Sequence, residues 1–226
     1  MLFIFAGLCA GGEPSAAIVE SFTAATQASD ALLRGASMSV EIAAAVPRLE
    51  KEATLQGLRQ ISSDGAISYR SLQLSGDEAV RRHVIARYLA AETNSLQNSN
   101  SKALAVNAEN YKFQFKRMDE IGGRAAHVFR VKPKRKREGS FDGEIWIDAM
   151  SYLPLRESGR VLEHSIFLRR ITFVRTFRIV NRTALPEHTD VNIDTRLVGK
   201  AHMRVDLRDV LFAGAEKTLN VPTTVQ

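Results

Sequence analysis

The chain has 226 residues, 31 Lys and Arg against 25 Asp and Glu, and a net charge of +6 at a pI near 9.7. Its apolar share of 45% and charged share of 25% are those of a globular protein and exclude an unfolded, charge-rich segment. The net positive charge permits anionic partners, but acidic residues run along the whole chain, which argues against a nucleic-acid protein, and one cysteine excludes an intramolecular disulfide.

Met1 opens an uncharged apolar run, Leu2 to Ala10, too short to span a bilayer. It ends in Ala10, Gly11 and Gly12, small residues suited to signal cleavage, although no basic residue precedes the run. Residues 1–12 are therefore expected to be a signal segment and 13–226 one domain. Cleavage would remove Cys9 and leave no thiol chemistry.

Ala16 to Leu33 carries apolar residues near a 3.6-residue period (Ile18, Val19, Phe22, Leu32) and predicts a helix stopped at Gly35. Met38, Val40 and Ile42 then alternate with polar neighbours, as in a half-buried strand. A second strand is expected over Ala53–Ile61 and a third over Ala66–Leu74, joined by the turn Ser63-Asp64-Gly65. In the third, Ile67 and Tyr69 are out of phase with Leu72 and Leu74, which predicts a bulge. Ser75 to Glu78 fits a capping box ahead of a second helix with Val80, Val84, Ile85, Tyr88 and Leu89 on its apolar face. Thr93 to Lys102, rich in Ser and Asn, reads as a loop.

From Tyr111 to Val210 nearly everything reads as strand. The segments are Tyr111–Phe115, Ala126–Lys132, Glu144–Asp148, Leu153–Ser158, Phe167–Val180, and those around Val191 and Val205, with turns at Gly122-Gly123 and Asn181–Ala184. Many strands with short turns imply an antiparallel sheet, and two helices to cover it make the class α+β. The basic run Lys134, Arg135, Lys136 and Arg137 falls on a connection, ended by Pro133 and by the turn-type pair Asp142-Gly143. It is either a solvated tip that keeps a sheet edge soluble or a contact for an anionic membrane surface. The absence of interleaved aromatics disfavours nucleic acid.

No motif for catalysis, metal or cofactor stands out. The five histidines are scattered, there is no G-x-S-x-G, and Asp148, Asp190 and Asp194 read as the polar face of strands. The expectation is a protein that is not an enzyme and needs no cofactor. Apolar surface remains. Phe113, Phe115, Phe129, Ile145, Ile147, Ile171 and Phe173 are candidates for an inward face, as packed core or as the lining of a ligand cavity. Trp146 has the opposite phase.

The ordered elements "NYKFQFKRMDEIGGRAAHVFRVKPKRK", "GEIWID", "YLPLRESGR" and "RRITFVRTFRIVNRTALPEHTDVNIDTRLVGKAHMRVDL" resemble the LolA/LolB-like outer-membrane lipoprotein-sorting family, which includes RseB-type sensors. The resemblance spans roughly Ser37 to Val210. It implies a curved antiparallel sheet, or half-barrel, with helices covering its concave face, and an apolar cavity between them for lipid acyl chains. It further implies an exported, periplasmic protein that binds lipid or a lipidated protein. The rival reading is an envelope sensor or scaffold that binds a protein partner through the same sheet. Neither reading fixes the oligomeric state.

Overall fold

A computed structural model describes residues 13–97, 100–162, 168–195 and 199–213. The expected signal segment lies outside them. Helix α1 (Glu13–Leu32) leads into strands β1 (Ser37–Val46), β2 (Lys51–Ile61) and β3 (Ile67–Gly76). A helical stretch follows, made of α2 (Glu78–Val80), a π-helical turn (Arg81–Ile85), α3 (Ala86–Gln97) and α4 (Asn100–Leu104). Seven more strands complete the described chain: β4 (Tyr111–Ile121), β5 (Arg124–Pro133), β6 (Phe141–Asp148), β7 (Pro154–Val161), β8 (Leu168–Val180), β9 (Thr183–Thr195) and β10 (Lys200–Leu211).

All ten strands form one antiparallel sheet in the order β3-β2-β1-β10-β9-β8-β7-β6-β5-β4. The sheet is curved and does not close, as the fold class predicted. Its free edges, β3 and β4, are consecutive in sequence, so the helical stretch between them must travel from one edge to the other. Helices laid over the concave face are the direct consequence.

Two apolar layers hold the helices down. One lies under α2 and the π turn, where Val80 and Ile85 pack on Met38, Ile42, Leu55 and Val205. The other lies under α1, where Val19 and Phe22 pack on Tyr111, Phe129, Ile145 and Ile147. Val191 packs against both. The alternation expected of β1 is present, with Met38, Val40, Ile42, Ala44 and Val46 all buried.

Several local expectations change. The bulge in β3 is present, with a register shift opposite Gln56–Leu58 and Ser71 in the left-handed region at φ 52°. The helix cap is not Ser75, which stays in β3 and bonds Thr54, but Asp77, whose carboxylate accepts the Val80 N–H at 3.1 Å. Thr93–Lys102 is not a loop: α3 continues to Gln97 and α4 covers Asn100–Leu104. Asp142 and Gly143 form no turn and lie inside β6. Asp148 is 2% exposed rather than on a polar face, clasped by Arg124 Nη2 at 2.9 Å and by Ser151. Burial opposes its ionisation, but those hydrogen bonds outweigh it and hold the carboxyl below its usual range.

Trp146 lies on the face opposite the helices in a small cluster with Ala126, Val128 and Leu155. Its Nε1–H donates to Asp119 Oδ2 at 3.0 Å, and the guanidiniums of Arg156 and Arg117 lie over its ring at 5.0 and 5.8 Å. Arginine stems and an acid thus cover an aromatic that would otherwise face water. Among the described residues no helix is long and apolar enough to cross a membrane.

Candidate functional site: a cavity between helices and sheet

The helices are too few to cover ten strands. α1 lies over the β4–β9 side and the α2–α3 stretch over β1, β2, β3 and β10, leaving a gap between the two sets of helices. A cavity of about 1510 Å³ fills that gap. It exceeds the roughly 300–1,000 Å³ of drug-sized ligand sites. Phe22 on α1 and Tyr88 on α3 form its sides, and Ile171, Phe173, Val191 and Met203 from β8, β9 and β10 form its floor.

The seven apolar candidates divide. Ile171 and Phe173 line the cavity. Phe129, Ile145 and Ile147 are fully buried in the packed layer under α1. Phe113 sits beside them, its ring 6.2 Å from Phe22 and 6.0 Å from Phe129. Phe115, 42% exposed, leans on Phe129 with ring centroids 5.6 Å apart, near the β4 edge. Strand phase alone could not separate these roles, because core and cavity floor occupy the same face of the sheet.

Polar residues that the sequence reading did not single out also line the space. On α1, Phe22, Thr26 and Asp30 follow at four-residue spacing, which puts them on one helix face, and all three border the cavity. Glu157 of β7, Arg175 of β8 and Thr189 of β9 border it too. Arg175 Nη1 donates to Glu157 Oε2 at 3.5 Å and its Nε to Thr189 Oγ1 at 3.4 Å, both at the long end of hydrogen bonding. Burial raises the Glu157 carboxyl above its usual range, and the Arg175 charge opposes this in part. Burial likewise pushes Asp30 up to about 6, against the pull of Arg34. The signal was available: Arg175 shares the inward phase of Ile171 and Phe173, where a charge is out of place.

Asp30 gives a prediction with a definite sign. A carboxyl raised on folding from 3.8 to about 6 makes the folded state bind more protons, so stability falls as pH climbs through that window and stays reduced above it. Asp30→Asn removes the penalty. Urea titration should show the variant more stable by about 1 kcal/mol at pH 7.5, and no more stable at pH 3. The full shift would imply roughly 3 kcal/mol, but the side chain faces open space and is screened by solvent.

A second polar knot ties α3 to the sheet. Arg59 of β2 donates from Nε and Nη2 to Glu92 Oε1 at 3.2 and 2.9 Å, and from Nη1 to Met38 Sδ at 3.5 Å. Tyr69 of β3 donates its hydroxyl to the other Glu92 oxygen. Burial works against the Glu92 charge, yet Arg59 and Tyr69 hold the carboxyl below its usual range. On the other side, Ser29 Oγ of α1 accepts the Ala184 N–H at 3.0 Å. The walls of the cavity are therefore fastened by polar bonds as well as by packing.

The basic run is the β5–β6 connection, as expected. Lys134, Arg135 and Lys136 are exposed and Arg137 is half-buried. Ser140 pins its base, donating from Oγ to the Arg137 carbonyl at 2.6 Å. Among the described residues no group of three His, Cys, Asp or Glu could hold a metal ion.

No protein-family model and no curated protein matches the chain in sequence. Its neighbours among solved structures are a DUF1329 family protein, outer-membrane lipoprotein-sorting proteins of the LolA superfamily, and MucB. The DUF1329 protein, from Desulfovibrio piger, is 10% identical, with 90% of this chain and 95% of that one covered at a TM-score of 0.50. An outer membrane lipoprotein-sorting protein domain from Vibrio parahaemolyticus is 13% identical over 91% of this chain and 95% of its own, at 0.45. A LolA superfamily protein from Nitrosomonas europaea is 13% identical over 87% and 92%, at 0.43. The likeness is one of fold.

Proposed function

We propose that this chain is a non-enzymatic cell-envelope protein that carries or senses lipid acyl chains in the cavity between helices and sheet. The observation that supports the reading best is the cavity itself, a large space with a floor of Ile171, Phe173, Val191 and Met203. A hydrocarbon chain laid along that apolar floor would gain dispersion contacts with it. Each buried methylene is worth about 0.8 kcal/mol, so a chain of roughly 15 carbons contributes roughly 12 kcal/mol before ordering costs. Such a site needs no hydrogen-bond code, which accounts for a sequence without a catalytic motif. The sequence resemblance to lipoprotein-sorting proteins points the same way, and an exported, periplasmic location accompanies it.

Native mass spectrometry of the protein purified from envelope extract tests this reading. Adducts with lipid masses should be retained, and Ile193→Trp, which places an indole in the cavity, should lose them. A protein free of lipid before and after delipidation and re-addition would contradict it.

In this reading the basic loop meets an anionic membrane surface. Replacing Lys134, Arg135, Lys136 and Arg137 by glutamine should change stability by under about 0.5 kcal/mol, since Lys134, Arg135 and Lys136 are exposed and the Lys134 bond to the Ala108 carbonyl lies at the surface. Each lost charge should weaken binding to anionic vesicles by about 1 kcal/mol, a difference that added salt erases. Equal co-sedimentation of the two forms at low salt would remove the membrane role.

A further inference from the structure

The basic loop encloses a space of its own. A second cavity, of about 310 Å³, lies between the start of β4 and the β5–β6 connection. Three cations border it, Lys134, Arg135 and Arg137, against one acid, the exposed Glu109. Lys136 does not border it, and Glu138 borders the larger cavity instead. The run is therefore not a uniform strip of charge.

Both ends of the loop are fixed. The Lys134 N–H donates to the Asn110 carbonyl at 2.7 Å, and its ammonium donates to the Ala108 carbonyl at 2.5 Å. At the other end Ser140, 3% exposed, accepts the Arg137 N–H at 3.3 Å and donates to the Arg137 carbonyl at 2.6 Å. Among the described residues nothing partners the guanidiniums of Arg135 and Arg137. Tyr111, buried, also borders the space, and its hydroxyl accepts the Phe141 N–H at 3.3 Å while keeping its own proton to donate.

Three positive charges gathered round so small a space repel one another, and Glu109 offsets one of them. Three cations less one acid leaves +2. A phosphomonoester carries about −1.5 to −2 at neutral pH and three acceptor oxygens, which matches that balance. Guanidiniums present paired N–H donors that meet two phosphate oxygens at once. A carboxylate or a phosphodiester brings a single charge and leaves the lining under-neutralised. A loop already fixed at both ends loses little freedom on binding.

We propose that this pocket binds a phosphomonoester group, with Lys134, Arg135 and Arg137 around its oxygens. The proposal deepens the membrane reading of the loop given above, adding a specific seat to a general attraction. It names the group rather than its carrier, a lipid head or a free phosphate.

Co-sedimentation with two kinds of phosphatidylcholine vesicle, matched in surface charge, tests it. One carries phosphatidate, a phosphomonoester, and the other phosphatidylglycerol, a diester. Phosphatidate vesicles should bind at least about tenfold more tightly. Arg137→Gln should abolish that preference with an unchanged melting temperature, and Arg137→Lys should restore part of it. Lys136→Gln, off the pocket, should weaken both vesicle types alike and keep the preference. Inorganic phosphate that competes better than sulfate at equal ionic strength would support the pocket and show that the free group suffices. A preference that phosphate does not compete away would support it for the lipid-borne group. Equal binding of the two vesicle types, or a preference lost equally in Lys136→Gln, would overturn the pocket while leaving the membrane role intact. No binding to either vesicle would remove the membrane role, and calorimetric titration with inorganic phosphate then decides the pocket: heat that Arg137→Gln removes supports it, and the absence of heat overturns it.

Discussion

Glu92→Ala is expected to lower stability by about 3 kcal/mol, read as a fall in the urea midpoint. The substitution strands the Arg59 guanidinium, whose side chain is only 9% exposed, and leaves Tyr69 without its acceptor. Removing one partner of a buried pair typically costs roughly 3–5 kcal/mol, because the survivor keeps its desolvation penalty and loses its compensation. Glu92 is itself partly reachable, which puts the expectation at the lower end. The double variant Arg59→Met with Glu92→Leu should recover most of the loss, because no charge is then left buried. A loss under about 0.5 kcal/mol for Glu92→Ala would show that α3 is held by the packing of Tyr88 and Leu89 alone.

Gly143→Val should be at least as damaging, costing more than about 3 kcal/mol. Gly143 has no unusual backbone conformation, so the reason is space. A Cβ there would sit 1.9 Å from the Ser158 carbonyl oxygen and 2.6 Å from the Gly159 Cα, both backbone atoms of β7. Gly143 and Gly159 are partners in the ladder, and two glycines facing each other let β6 and β7 approach closely. Any side chain must push the strands apart, and β6 carries Ile145 and Ile147 into the layer under α1. At the hairpin turn, by contrast, Gly123 at φ 77° has nothing within 4 Å of an added Cβ. Gly123→Ala should therefore cost only the backbone strain, about 1 kcal/mol. Thermal melts of the two variants side by side would separate steric from conformational glycine; similar losses in both would contradict the close-approach argument.

That contrast also shows where sequence reading reached and where it stopped. Gly122-Gly123 and Asn181-Arg182 were legible as turns because positive φ is a local demand, met by local residue choice. Asp142-Gly143 looked the same and was not, because the demand on Gly143 comes from a strand distant in sequence. The strand pattern, the antiparallel sheet and the bulge in β3 followed from period-2 alternation, which is also local. The helical content of Thr93–Lys102 did not. Its Ser and Asn favour turns in isolation, while the crossing from the β3 edge to the β4 edge requires a continuous path over the sheet.

The cavity was legible only in outline. Alternation marks Phe129, Ile145, Ile171 and Phe173 as facing one way. Whether a helix lies above each of them depends on how far α1 and α3 reach, which no strand pattern records. Asp30, Glu157 and Arg175 carry a clearer lesson. Arg175 alone breaks an inward apolar phase; Asp30 and Glu157 do not stand out, and the meeting of the three depends on a helix and two neighbouring strands packing together. A bulge in β7 at Leu155, opposite Trp146–Ile147, further hides the phase of Glu157.

Photo-crosslinking would locate acyl chains in the proposed space between helices and sheet. A fatty acid with a diazirine in mid-chain is bound, irradiated, and mapped by peptide mass spectrometry. The account predicts crosslinks on Ile171, Phe173, Val191 and Met203, competed away by unlabelled lipid and lost in Ile193→Trp. Crosslinks confined to the exposed apolar side chains Leu72 and Leu74 on the β3 edge, or to the face around Trp146, would contradict it.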